Sequence, residues 1–223
     1  MKYYLLNRSL KRKDVGVAFG QTTELWDLDF VKGIPYIKQL ESLPNYHGKL
    51  RNDEFPTFEP RIKFELSEKG KVTDLVDIPN INCNGMLVSP KFRELLERFT
   101  LIEQRFYPGK LKVGDFFLEY FWFHPCSWEA DLLFNFQETD FIDSIGRFAK
   151  IGSLADRASY YAKHGAALKL KKVILSETGA RLDLFYIPKF QYLTDFFISE
   201  ALMKAIKKEK ITGVEIKEQE IIQ

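Results

Sequence analysis

Cysteine and histidine are scarce in this chain, with two Cys and three His among 223 residues. Two cysteines cannot build a disulfide framework, and a structural zinc site cannot be made from them alone. Charge of one sign is also missing: 33 Lys and Arg face 31 Asp and Glu, a net charge of +2. That is far below the broad basic footprint of a general nucleic-acid binder. Long apolar runs are lacking too. The strongest, Phe116 to Phe123, is broken by Glu119 and falls well short of the roughly 20 residues that span a bilayer. The stretch from Met1 to Arg8 has too short an apolar core to read as a signal peptide. The expectation is a cytoplasmic protein with no membrane contact, in which Cys83 and Cys126 are reduced and behave as small buried hydrophobes.

What is present is material for a core. Hydrophobic residues make up 45% of the chain, including 20 Phe. A chain of this size buries about 70% of the surface that its unfolded form exposes. With 13 Gly and 9 Pro and no rich cluster of either outside 33–60, no linker divides it. One compact unit over 1–223 is expected, with 1–108 and 109–223 as the candidate subdivision into lobes. Alternation and β-branched or aromatic enrichment predict strands at Tyr3–Leu6, Arg61–Leu66, Gly85–Val88, Ile102–Phe106, Phe116–Phe123, Leu168–Leu175, Leu182–Ile187, Asp195–Ile198 and Gly213–Lys217.

Three helices carry start and stop signals. After Ser89-Pro90, Phe92, Leu95, Leu96 and Phe99 recur at helical spacing. From Ser153 to His164, Ser153 and Asp156 form a capping-box-like start, Leu154, Ala158, Tyr161 and Ala162 share a face, and Gly165 suits the residue after the end. After Ser199, Glu200 opens a helix that Lys207, Lys208 and Lys210 close, complementing its dipole. The first and third belong to a repeat. Residues 86–106 align without a gap to 196–216, matching Ser89 to Ser199, Phe92 to Leu202, Leu96 to Ile206 and Leu101 to Ile211. Each reads strand, Ser-capped helix, strand. The predicted fold is α+β, sheet-rich, with three main helices and two strand–helix–strand units that either share an origin or share only a common pattern.

Signatures of chemistry are few. The sequence has no glycine-rich phosphate loop, dinucleotide fingerprint, nucleophile elbow or helical His pair, so neither cofactor nor metal is expected. The one dense group of reactive side chains is His124-Pro125-Cys126-Ser127-Trp128-Glu129. A hydrolase-like reading makes Cys126 the nucleophile and His124 its base, since residues two apart on a strand share a face. The competing reading is a turn that ends an apolar strand. A small-ligand or nucleic-acid module is a further alternative, with Arg8, Lys11, Arg12 and Lys13 as its basic residues.

Charge distribution is more telling. Val113 to Gly146 holds seven acids, no Lys or Arg, and ten aromatic residues, whereas Arg147 to Lys172 holds seven basic residues against Asp156 alone. Aromatic anchors among charges of one sign suit a protein interface. Local pairing of the two segments, with the aromatics in the core, is the alternative.

The C-terminal half also resembles a family. Phe196-Phe197-Ile198-Ser199-Glu200-Ala201-Leu202, Ala205-Ile206 and Ile211-Thr212-Gly213-Val214 are similar to the strand, Ser-capped helix and Thr-Gly-Val strand of immunity proteins from bacterial polymorphic-toxin systems. Leu184 to Ile187 resembles the strand preceding these, and Leu87-Val88-Ser89 with Phe92 and Leu95-Leu96 resembles the group's central helix. The resemblance implies a non-enzymatic protein that binds and blocks a cognate toxin. Its contact surface is expected on Trp128, Glu129, Asp131, Glu138, Asp140 and Asp143.

Overall fold

The computed structural model describes residues 2–17, 21–24, 55, 62–76, 85–126, 132–153, 155–187 and 196–222. Strands in chain order are β1 (Tyr3–Arg8), β2 (Thr22–Glu24), β3 (Ile62–Leu66), β4 (Leu75–Val76), β5 (Met86–Val88), β6 (Gln104–Val113) and β7 (Phe116–Pro125). They continue with β8 (Asp140–Asp143), β9 (Phe148–Ala149), β10 (Leu168–Lys172), β11 (Leu184–Tyr186), β12 (Phe196–Ser199) and β13 (Val214–Glu218). The helices are α1 (Arg12–Val15), α2 (Pro90–Leu96), α3 (Asp156–His164) and α4 (Glu200–Lys208). The protein is α+β and sheet-rich.

Three sheets form: β11-β12-β1-β13, β2-β3-β6-β7-β5-β4 and β10-β8-β9. Within the first two lies one repeated arrangement. β5, α2 and β6 flank β7, which runs antiparallel to both strands. β12, α4 and β13 flank β1 in the same way. The repeat read along the chain is therefore a repeat in space, with a different central strand in each copy. The candidate boundary between 108 and 109 falls inside β6, and β1 belongs to the sheet of the C-terminal unit, so the halves interleave.

Both helices start as their sequences dictate. The Ser89 hydroxyl accepts from the Phe92 N–H and that of Ser199 from the Leu202 N–H, each at 3.2 Å. Such caps are worth about 1 kcal/mol. Each serine also donates to an aspartate upstream, Ser89 to Asp74 at 2.7 Å and Ser199 to Asp183 at 2.6 Å. The aspartates then cross to the other unit. Asp74 accepts from the backbone N–H and the hydroxyl of Thr212, both at 2.8 Å. Asp183 accepts from the backbone N–H of Thr100 at 3.1 Å. Gly213 follows Thr212 with φ 77°, and a Cβ there would collide with the Leu75 carbonyl and the Thr73 side chain. Glycine in the Thr-Gly-Val segment is thus a requirement of packing.

One apolar cluster joins the sheets, with Leu6 and Phe197 from the first, Val88 and Phe123 from the second, and Phe141 and Leu168 from the third. Phe92, Leu95 and Leu96 of α2 and Leu202 and Ile206 of α4 enter it, each contributing about 2–3 kcal/mol by burial. Strand alternation sends Leu87 to the opposite face, where it meets Phe64, Val76, Leu111 and Tyr120 in a second cluster. α3 behaves differently. The N–H groups of Gly152 and Ser153 reach the Asp156 carboxylate, but the helix begins only at Asp156, with Ala155 at its N-cap and no side chain capping it, and Gly165 ends it at φ 64°. No α3 side chain is buried, and Ala158, Tyr161 and Ala162 face solvent.

Candidate functional site

Trp128, Glu129 and Asp131 lie outside the described residues, as do Cys83 and His47. The other three expected contact residues sit on or beside β8, and each has a local partner. Glu138 is exposed and accepts from the Asn135 amide at 2.9 Å. Asp140 is half-buried and pairs with Lys150 at 2.7 Å, which holds its carboxyl below the ordinary range. Asp143 is withdrawn from the surface altogether, its side chain 0% exposed.

Asp143 organises the turn between β8 and β9. Its carboxylate accepts from the backbone N–H groups of Ile145 and Arg147, from the Arg147 guanidinium at 2.8 Å and from the Tyr160 hydroxyl at 3.0 Å. Burial by itself would raise this carboxyl. The donors from Arg147, Tyr160 and Ile145 outweigh it and bring the pKa down to about 2. The acidic and basic segments therefore meet in two ion pairs, Asp143 with Arg147 and Asp140 with Lys150. Asp143 holds a hairpin and the middle of α3 together, and its charge is taken up within the protein.

His124 and Cys126, the residues of the hydrolase-like reading, are 1% and 3% exposed. The His124 ring stacks on Trp122 at 4.4 Å and 16°, with the edge of Phe55 at 5.8 Å. The Cys126 N–H bonds the Glu103 carbonyl at 2.7 Å. Both side chains are packed into the body at the end of β7. Among the described residues no group of three or more His, Cys, Asp or Glu side chains gathers to hold a metal. Nor is any described helix long and apolar enough to cross a membrane.

Among the described residues a run of exposed apolar side chains lies elsewhere in the acidic segment. β6 and β7 pair from Gln104↔Pro125 to Val113↔Phe116 around a turn at Gly114-Asp115, with Gly114 at φ 58°. At the turn end of this hairpin β6 is still paired with β3, but β7 has passed the end of β5. Phe116, Phe117 and Leu118 are 76%, 50% and 37% exposed, followed by exposed Glu119. Sequence reasoning treated Phe116 to Phe123 as one apolar strand and missed that its first half is uncovered. The signal was there: consecutive Phe116, Phe117 and Leu118 occupy both faces of a strand, so a sheet covered on one side leaves some of them in water.

No family model matches this chain, and no curated protein matches it.

Proposed function

We propose that this protein neutralises a cognate bacterial toxin by stoichiometric binding, acting in the cytoplasm as an immunity protein without chemistry of its own. The observation that carries this reading is the hairpin end, where Phe116, Phe117 and Leu118 lie exposed between Asp115 and Glu119. Large aromatic side chains in water favour burial against another protein, and the acids at either end of the run, with Lys110 and Lys112 across from it on β6, add charges that select a partner. The resemblance of the strand, Ser-capped helix and Thr-Gly-Val strand to immunity proteins supports the same function. Burial of His124 and Cys126 accords with a binding role. The proposed contact surface combines the hairpin end with exposed Glu138 and half-buried Asp140, to which Trp128, Glu129 and Asp131 add in sequence. If the toxin acts on nucleic acid, these acids would occupy its basic cleft as the substrate's phosphates do.

The test is affinity purification of the tagged protein from its own organism, with mass spectrometry of what it retains. The expected result is one protein in near-equal amount that arrests growth when expressed alone and is harmless when co-expressed with this chain. Retention of a small molecule or nucleic acid in place of a protein, or a captured protein with no toxicity, would overturn the reading.

A further inference from the structure

The hairpin end is more than an apolar patch, because one side of its backbone also meets no described strand. β5 reaches β7 only from Phe121 to Phe123. From Phe116 to Tyr120, β7 therefore has β6 on one side and no described strand on the other. An unpaired strand edge is a template for another polypeptide, which alone can supply a matching row of N–H and C=O groups.

Register indicates what that polypeptide should carry. Phe64, Leu111 and Leu118 lie directly opposite one another across β3, β6 and β7. Phe64 and Leu111 are fully buried, but Leu118 at the free edge is 37% exposed, so the apolar row stops one strand short of cover. On the other face, one row runs Lys63, Lys110, Glu119 and the next runs Glu65, Lys112, Phe117. Lys112 is bound to Glu65 at 2.9 Å, and Lys110 turns over the Phe117 ring at 6.0 Å. These two rows end at the free edge in an acid and an aromatic ring, both of which attract a cation.

We infer that the β7 edge from Phe116 to Glu119 receives an extended strand of another polypeptide in which apolar and basic side chains alternate. Its apolar side continues the Leu118 row and its basic side meets Glu119 and Phe117. A second copy of this chain fits less well. The three exposed side chains supply roughly 300–400 Å² per protomer, about half of what a stable dimer interface buries on each partner. The inference deepens the toxin-binding reading and rests on it only for the identity of the partner.

The test needs no toxin. A capped eight-residue peptide of alternating Val and Lys is titrated into the 15N-labelled full chain, with a Val and Glu peptide as control. Saturable shifts confined to the amides of 116–120, with the Lys peptide on the order of threefold tighter, are expected. The Glu119→Lys variant should reverse that preference, and Leu118→Lys should abolish binding while the core amides stay in place. Shifts that are absent, equal for both peptides, or centred on Ile145 and Phe148 would overturn the inference. So would protection of the same amides by self-association before any peptide is added. A captured toxin with a silent β7 edge would leave the immunity reading standing and remove the strand, while peptide binding without a toxin would do the reverse.

Discussion

The two strand–helix–strand units make a natural experiment within one chain. In each, a serine at the junction of strand and helix caps the helix and donates to an upstream aspartate, which then reaches across to the other unit. Each cap is thus completed by a residue just beyond the other unit's helix. The units differ in how firmly this is done. Asp74 accepts three hydrogen bonds, from Ser89, the Thr212 N–H and the Thr212 hydroxyl. Asp183 accepts two, from Ser199 and the Thr100 N–H. They differ also in the central strand, which is the second arm of a hairpin in one unit and the first strand of the chain in the other. β1 has β12 on one side and β13 on the other from Tyr4 to Leu6, whereas β7 runs past the end of β5 and from Phe116 to Tyr120 has no described strand on that side. The same framework therefore gives a central strand flanked on both sides in one unit and a presenting arm in the other.

The comparison is broken most forcefully at the aspartates. Asp74→Ala strands three donors and should cost about 3 kcal/mol in urea unfolding, against about 2 kcal/mol for Asp183→Ala. Equal losses would mean that the Thr212 hydroxyl adds nothing. Truncating the serines tests the part that the units share. Ser89→Ala and Ser199→Ala should each lose about 1 kcal/mol, and a double mutant that simply sums them would make the caps independent.

The β8–β9–β10 sheet lies outside both units and should respond to acid by its own route. Asp143 titrates at about 2 when folded, against 3.8 for an ordinary Asp. A lowered carboxyl stabilises fully above about pH 4, and that contribution fades as the pH falls toward about 2. Asp143→Asn should therefore flatten the acid-unfolding profile in this window while leaving the Asp74 and Asp183 contacts intact, as NMR of the Thr100 and Thr212 amides would report. The smallest effect on stability is expected at the hairpin end. Phe117→Ser should change it by less than about 0.5 kcal/mol. A larger loss by thermal melting would show that Phe117 supports the sheet and is not held out for a partner.

Features written in local chemistry were legible in the sequence. Ser89-Pro90 and Ser199-Glu200 named both helix starts, and the apolar spacing at Phe92, Leu95 and Leu96 named the buried face. Features that depend on distant neighbours were not. Pro108-Gly109 resembles a turn, and β6 was expected to stop at Phe106, yet it runs on to Val113. The reason lies in register: β3 joins β6 only from Gly109 onward, so Pro108 sits where the missing N–H leaves no gap on that side. α3 showed the opposite failure: Gly165 ends it as predicted, but it starts at Asp156 and not at Ser153, and Ala158, Tyr161 and Ala162 of its apolar face lie exposed. Among the candidate contact residues, Asp143 was read from its charge. Its burial follows from Tyr160 and Arg147, whose approach no spacing rule anticipates.

The place of β1 carries a consequence for how the protein is made. Its register joins Tyr4 to Glu218 and Leu6 to Phe196, and Lys2 bonds Glu218 across a separation of 216 residues. A ribosome adding about 5–20 residues per second releases the partners of this strand only roughly 10–40 seconds after the strand itself emerges. Until then its neighbours in the sheet do not exist, and Tyr3 and Leu6, both buried in the finished protein, face water or a chaperone. The closing of this sheet thus waits for the synthesis of β12 and β13, about 190–210 residues after β1.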